Sequence, residues 1–175
     1  MVAEQWDMVS FECGSVAVVT RQNRLLRVCF EISPDAAEAA VRRDCPDAER
    51  VSQGYPQTVL LQLAEFFQGT RDEFDLALWT DSLSAFALKT HDELMKVPLG
   101  SVVSYGELAS RTGSPGAARA VGGVMSSNPF PLVVPCHRVV NANGRVGQYS
   151  GAHGTSTKTW LLDFESSLVS SNLSD

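Results

Sequence analysis

Apolar residues recur along this chain with two periods. Residues 15–20 (SVAVVT) and 25–30 (LLRVCF) are short β-branched runs separated by the polar stretch 21–24 (RQNR), which predicts an antiparallel hairpin in a small sheet. Residues 36–43 and 58–68 place apolar side chains at helical spacing, and Gly69 stops the second helix. Residues 74–79 (FDLALW) alternate apolar and polar, which predicts one more strand. Over residues 86–97, Phe86, Leu94 and Val97 share a helical face that Pro98 and Gly100 terminate. The sheet-rich and helix-rich patterns part near residues 80–85. The final ten residues, SSLVSSNLSD, are polar and weakly patterned, which predicts a frayed end.

Two short helices follow in close succession. Ser104-Tyr105-Gly106-Glu107 reads as a capping box, in which the Ser104 hydroxyl accepts from the Glu107 N–H while the Glu107 carboxylate accepts from the Ser104 N–H. The first helix then runs from Tyr105 to about Arg111, and Thr112-Gly113 breaks it. Ser114-Pro115 is expected to restart a helix, with Ser as N-cap and Pro at the first position, covering residues 117–127. The pair makes a helix-turn-helix candidate. On the second helix Ala117, Val121, Val124 and Met125 form the apolar stripe, and Arg119, Gly122, Gly123 and Ser126 form the opposite face. Each glycine in a helix costs about 1 kcal/mol relative to alanine, so something should offset it. One explanation is close approach of the helix backbone to another body, such as the narrow minor groove of duplex DNA. The other is a tight internal helix crossing through Gly122 and Gly123.

Composition bounds the function classes. At 175 residues, with 44% hydrophobic and 19% charged residues, the chain is long and apolar enough to fold as one large domain or two small ones. No apolar run reaches the roughly 18 residues of a membrane span, and the N-terminal MVAEQWDMVS is acidic where a signal peptide is basic, so a soluble, unexported protein is expected. Cys13, Cys29, Cys45 and Cys136 lie at wide spacings without a C-x-x-C, which argues against a disulfide scaffold or a zinc cluster. A formal charge of −6 excludes a uniformly basic nucleic-acid-binding protein. The charge is unevenly placed, however. Residues 1–85 carry 7 Lys and Arg against 14 Asp and Glu, whereas residues 101–158 carry Arg111, Arg119, Arg138, Arg145 and Lys158 against Glu107 alone, a net +4. The second half is therefore the part suited to a polyanion.

The most distinctive chemistry lies at residues 131–140 (PLVVPCHRVV). A cysteine within reach of an imidazole can become a thiolate near neutral pH, whereas a free thiol, with a pKa of about 8.5, is mostly protonated. Neighbours in an extended segment point to opposite faces, so His137 can serve Cys136 only through a backbone bend or a bridging water. It also needs a third group to orient it. Glu165 is the natural partner, at the end of the segment 158–165 (KTWLLDFE), where Trp160, Leu161 and Phe164 are expected to bury a helix against the core. The alternative is a buried structural cysteine beside an incidental histidine. Two adjacent ligands with no second pair nearby do not make a tetrahedral zinc site.

Pro135-Cys136-His137-Arg138-Val139, Ser104-Tyr105, Arg119-Ala120-Val121-Gly122 followed by Asn128-Pro129, Tyr149-Ser150-Gly151, and Trp160-Leu161-Leu162 ending in Glu165 resemble, in order and spacing, the O6-alkylguanine-DNA alkyltransferases. The likeness is strong over residues 84–165, and looser over the N-terminal half. It implies an α+β fold: a small N-terminal domain with an antiparallel, ribonuclease H-like sheet (residues 1–85), and a mainly helical domain with a winged helix-turn-helix (residues 86–165). Residues 166–175 are expected to form a flexible tail. It also implies single-turnover repair: binding of double-stranded DNA through the minor groove, rotation of an O6-alkylguanine out of the stack, and transfer of its alkyl group to the protein. Carried over by position, Cys136 is the acceptor, His137 the base through water, and Glu165 its orienting partner. Tyr105 turns the nucleotide out and donates a proton to the base. Arg119 fills the vacated stack, with Ala118, Ala120 and Gly122 beside it on the DNA face. Asn128 ties the helix-turn-helix to the cysteine segment, and Pro131, Val139, Tyr149 and Ser150 line the base pocket. No metal, cofactor or membrane is expected. The protein is expected to be a monomer and cytoplasmic, associated with the nucleoid, or nuclear in a eukaryote. Two other functions remain open at this point: a sensor of the same fold that binds alkylated bases without reacting, against which Cys136 speaks, and an unrelated cysteine hydrolase.

Overall fold

The computed structural model describes residues 3–172. They form two compact units, one running to Asp81 with Gly151–His153 added, the other Ser82–Ser150 with the chain from Gly154 onward.

The first unit is built on three antiparallel strands, β1 (Gln5–Phe11), β2 (Gly14–Arg21) and β3 (Arg24–Glu31), with a two-residue strand β4 (Glu49–Arg50) added parallel to β1, in the order β3-β2-β1-β4. The expected hairpin is β2–β3, closed by Gln22 and Asn23 at φ 53° and 54°, the left-handed pair a tight hairpin turn requires. Sequence reasoning missed β1, whose QWDMVSF has too weak an alternation to separate it from a loop. Helix α1 (Pro34–Asp44), capped by the Ser33 hydroxyl, packs Ala37, Ala40 and Val41 against Trp6, Ala17, Val19 and Cys29. Because side chains alternate along β2, Val16 and Val18 face the other way, and α2 (Tyr55–Phe67) also packs on this sheet. That two-sided cover explains why β2 reads as a continuous apolar run. The strand expected over residues 74–79 does not form. Only Leu78 bridges Leu25, through Leu25 N–H to the Ala77 carbonyl at 2.7 Å and Trp79 N–H to the Leu25 carbonyl at 2.8 Å, so the alternation there marks an edge-docked loop.

The second unit comprises α3 (Ala85–Met95), β5 (Val103–Ser104), α4 (Tyr105–Arg111), α5 (Ala118–Ser126), a 3-10 turn at Cys136–Arg138, β6 (Val139–Val140) and α6 (Thr155–Asn172). Strands β5 and β6 pair in parallel, Val103 with Val139 and Ser104 with Val140. The Ser104 hydroxyl accepts from the Glu107 N–H at 3.1 Å, but the reciprocal half of the capping box is absent, since Glu107 pairs instead with Arg111 at 2.6 Å. The second helix starts later than expected. Ser114-Pro115-Gly116 form a turn in which the Ser114 carbonyl accepts from the Ala117 N–H, and α5 begins at Ala118 without a side-chain cap. Gly116, at φ 90°, takes the left-handed conformation that prevents an earlier start. The expected frayed end is helical as far as Asn172, with Leu168 and Val169 half-buried; of that stretch, residues 173–175 lie outside the described residues. The class is α+β, as expected. No helix among the described residues is long and apolar enough to cross a membrane.

Candidate active site

Val134, Pro135 and the 3-10 turn deliver Cys136 to the floor of a cavity of about 420 Å³ lined by Tyr105, Gly122, Met125, Ser126, Cys136, Asn141, Gln148, Tyr149 and Ser150. Its size and mixed lining suit a small flat ligand. Wall by wall, it is bounded by the start of α4, one face of α5 and the loop that follows β6. The segment 131–140 is wholly buried, and of its residues it is Cys136 that lines this cavity.

The bend that an extended Cys-His pair would need is the 3-10 turn. His137 turns away from the cavity, and its Nε2 lies 2.6 Å from Glu165 Oε1, both side chains fully buried. Arg138 comes from the same turn. It donates Nε to both Glu165 oxygens (3.2 and 2.9 Å), Nη2 to Oε1 at 3.0 Å, and Nη1 to the Val97 carbonyl at 2.6 Å. The Gly100 N–H adds a further donor to Glu165 Oε2 at 3.1 Å. Gly100 sits at φ 72°, and a Cβ there would meet Val169 Cγ2 at 2.8 Å, so the loop approaches α6 only because it carries glycine.

These contacts fix the protonation states. Burial raises the Glu165 carboxyl, but hydrogen bonds and charge from His137 and Arg138 outweigh it and hold the group at about 2. Burial lowers His137, Glu165 opposing and Arg138 and Lys158 assisting, which leaves the ring neutral at pH 7. A neutral ring facing a carboxylate donates Nε2–H, so Nδ1 is the basic nitrogen; it has no hydrogen-bond partner among the described residues. Burial pushes the Cys136 thiol up, while hydrogen bonds from Asn128 and Tyr149 and the charge of Lys158 pull it down. The resting sulfur is a protonated thiol. Tyr105 is also raised, by burial and by Cys136, and keeps its proton.

Asn128, at the end of α5, donates Nδ2 to the Val134 carbonyl at 2.9 Å and accepts from the Phe130 N–H at 3.0 Å, stapling the helix to the cysteine segment. Of the expected pocket residues, Tyr149 and Ser150 line the cavity. Pro131 and Val139 do not, because both are packed into the interior, Val139 held in the β5–β6 ladder with its carbonyl accepting from Lys158 Nζ at 2.6 Å. On α5, Val121 and Met125 are buried and Ala117 and Val124 half-buried, while Arg119, Ala120 and Gly123 are exposed and Ala118 and Gly122 partly so. A Cβ built on Gly122 or Gly123 would meet nothing within 4 Å. The internal-crossing explanation of these glycines therefore fails.

Sequence reasoning missed Arg138 and Lys158 as functional groups. Lys158 is fully buried and shares with Leu161 and Glu165 the inward face of α6, whereas Trp160 and Phe164, expected to bury it, are half-buried and stacked on each other with centroids 5.2 Å apart. The spacing 158, 161, 165 was the available signal; the weight given to aromatics hid it. Among the described residues no cluster of three His, Cys, Asp or Glu is placed to hold a metal.

Residues 85–167 match the family described as the DNA-binding domain of 6-O-methylguanine DNA methyltransferase. The methylated-DNA–protein-cysteine methyltransferase of Salmonella typhimurium is 40% identical over 121 residues, covering 69% of this chain and 70% of that one. The Rattus norvegicus protein of the same name is 53% identical over 72 residues, 41% of this chain and 34% of that one. Among solved structures, the O6-methylguanine methyltransferase of Mycobacterium tuberculosis superposes with a TM-score of 0.78 at 30% identity, covering 95% of this chain and 94% of that one. The Mycobacterium tuberculosis OGT in complex with DNA gives a TM-score of 0.79 at 28% identity and 94% coverage of each chain. A buried cysteine at the floor of a cavity, followed in the chain by a buried histidine paired with a glutamate, thus sits in a chain that belongs to the methylated-DNA–protein-cysteine methyltransferase family.

Proposed function

We propose that this protein repairs O6-alkylguanine in duplex DNA by moving the alkyl group irreversibly to Cys136. The observation that carries the proposal is a buried, protonated thiol at the floor of the cavity beside a neutral imidazole whose basic Nδ1 is free and whose other nitrogen is held by an ionised Glu165.

In the reaction, the Cys136 proton passes through a bridging water to His137 Nδ1, and Glu165 stabilises the imidazolium. The thiolate attacks the alkyl carbon, a C–S bond forms, the C–O bond breaks with its electron pair remaining on guanine, and Tyr105 donates a proton to the ring nitrogen. The thioether has no route back to a thiol, so each molecule acts once.

An alkylated oxygen inside a base pair is out of reach of a buried sulfur, so the nucleotide must leave the stack. The α5 face of Arg119, Gly122 and Gly123, small and unobstructed, suits the minor groove, with Ala118 and Ala120 beside it and Arg119 as the side chain that fills the gap. On this reading α4 and α5 with the β5–β6 ladder form a winged helix-turn-helix, the sheet of the first unit is ribonuclease H-like, domains divide near residues 80–85, and the protein acts as a monomer. Asn128 positions Cys136, and Tyr149 and Ser150 wall the base.

Incubation with excess duplex carrying O6-methylguanine, followed by intact-mass and peptide analysis, is expected to show one methyl group on the Cys136 peptide and a final stoichiometry of one. More than one demethylated base per protein, or bound DNA with unchanged protein mass, would overturn the proposal, the second outcome in favour of a sensor.

A further inference from the structure

His91 is a buried titratable side chain that alkyl transfer does not use. It lies on the inward face of α3 with Thr90 and Leu94, all three buried. Thr90 satisfies its hydroxyl within the helix, donating to the Phe86 carbonyl at 2.7 Å. His91 has no such outlet: with 3% of its surface exposed, neither Nδ1 nor Nε2 has a hydrogen-bond partner among the described residues. Such a site accepts a neutral ring at some cost. A charged ring would add a second unpaired donor and an uncompensated positive charge, which is far costlier.

The ring packs on Phe130, with centroids 6.4 Å apart and planes at 74°. Phe130 is fully buried and organises the segment that leads to Cys136: its N–H donates to Asn128 Oδ1 at 3.0 Å, and its carbonyl accepts from the Val134 N–H at 2.8 Å. No counter-charge is placed there for an imidazolium. Helices α4 and α5 pack on α3, and their charged side chains Glu107, Arg111 and Arg119 are exposed, the first two paired with each other; residues 127–134 carry none. On α3 itself Lys89 and Asp92 are exposed, and Glu93 accepts from Lys96 at 2.7 Å. Burial lowers His91 below an ordinary imidazole, and Asp92 only opposes that shift. An aromatic neighbour compensates a buried cation less than an acceptor oxygen would.

We propose that His91 is an acid-sensitive latch behind the cysteine segment: the neutral ring fills its place against Phe130, and protonation releases Phe130 and with it the stretch from Asn128 to Val134. The proposal concerns the setting of Cys136 and holds whether or not that residue takes an alkyl group. Its sign follows from the closed state refusing the proton. Once the segment has opened, His91 protonates near its ordinary pKa of about 6.5, whereas the closed state takes the proton only at lower pH. Closure is therefore fully stable above about pH 6.5 and weakens about tenfold for each pH unit below it, until the buried ring titrates.

The test is amide hydrogen exchange at Phe130 and Val134 in the full chain and in its His91→Phe variant, which keeps an aromatic ring and cannot titrate. Both are measured at about pH 7.5 and pH 5.5, with each rate corrected for the intrinsic effect of pH on exchange. His137, also buried and neutral, contributes to both proteins alike and cancels in the comparison. Between the two pH values, protection in the unaltered protein is expected to fall about tenfold more than in His91→Phe. Equal falls would overturn the proposal. Should the variant not fold, the ring itself decides: NMR of the unaltered protein at about pH 5.5 is expected to show His91 still neutral in the folded molecule. A His91 ring already protonated there, with the fold intact, would overturn the latch.

Discussion

Glu165 is the residue on which the site depends, and its energetics carry a sign. Five donated contacts reach its two oxygens, from His137, Arg138 and the Gly100 N–H, and its carboxyl is held at about 2, well below the roughly 4.3 of an unfolded chain. As pH falls, the unfolded state therefore takes up the proton first. The stabilisation is fully present above about pH 4.5 and disappears between there and about pH 2. Glu165→Gln preserves shape but leaves the Arg138 guanidinium buried without its counter-charge, an expected loss of about 3 kcal/mol at pH 7. It also removes the group that stabilises imidazolium, so methyl transfer at neutral pH slows. Urea unfolding between pH 5 and 2.5 checks the first part: the acid-labile step of the unaltered protein should be absent in the variant, and an identical step in both would place the acid sensitivity elsewhere. At this scale the His137–Glu165 pair was legible, because a base beside a thiol demands an orienting carboxylate. Arg138 and Lys158 were not, because sequence shows that they are charged but not that they are buried, where each must be paired inside the protein.

At the scale of elements, legibility followed the strength of local signals. Helix α4 was readable from Ser104 and Glu107, and the β2–β3 hairpin from its polar turn; β1 was not, because its alternation is weak although its partner β2 follows directly, and the continuation of α6 was not, because Val169 packs near Gly100, far away in sequence. On the function proposed above, local and functional demands conflict in helix α5. Gly122 and Gly123 lower helix stability with no packing reason inside the protein, as nothing lies within 4 Å of the missing Cβ atoms. Gly122→Ala is therefore expected to stabilise the fold by about 0.5–1 kcal/mol, since an unhindered helical site gains alanine's propensity. Gly122→Leu should fold equally well but bind duplex DNA at least tenfold more weakly, because the added side chain occupies the surface proposed to approach the groove. Chemical denaturation and fluorescence anisotropy separate the two effects. Undiminished duplex binding by the leucine variant would mean that this face of α5 does not meet DNA.

At the scale of the whole molecule, the charge count changes once burial is known. The −6 total conceals a net +4 over residues 101–158, but that figure too overstates what a polyanion meets. Arg138 is consumed by Glu165, Lys158 is buried against the Val139 carbonyl, and Arg111 is paired with Glu107. Arg119 and Arg145 remain exposed without an acidic partner among the described residues, joined in the second unit by Lys89, whose Nζ would lie 3.3 Å from a Cβ on Gly113 in the turn after α4. If these three cations meet the duplex, Arg119 within the stack and the other two at phosphates, three charges release few counterions, with an expected slope of log K against log salt of about −2.7. Raising monovalent salt from 50 to 200 mM should then weaken duplex binding by about 40-fold, short of the 10³-fold or more that six or more contacts produce. Affinity measured across that range, with an Arg145→Ala variant losing about one third of the slope, checks the count. A much steeper dependence would mean that cations outside the second unit also reach the DNA, and would give the acidic first unit a share in binding that its composition does not suggest.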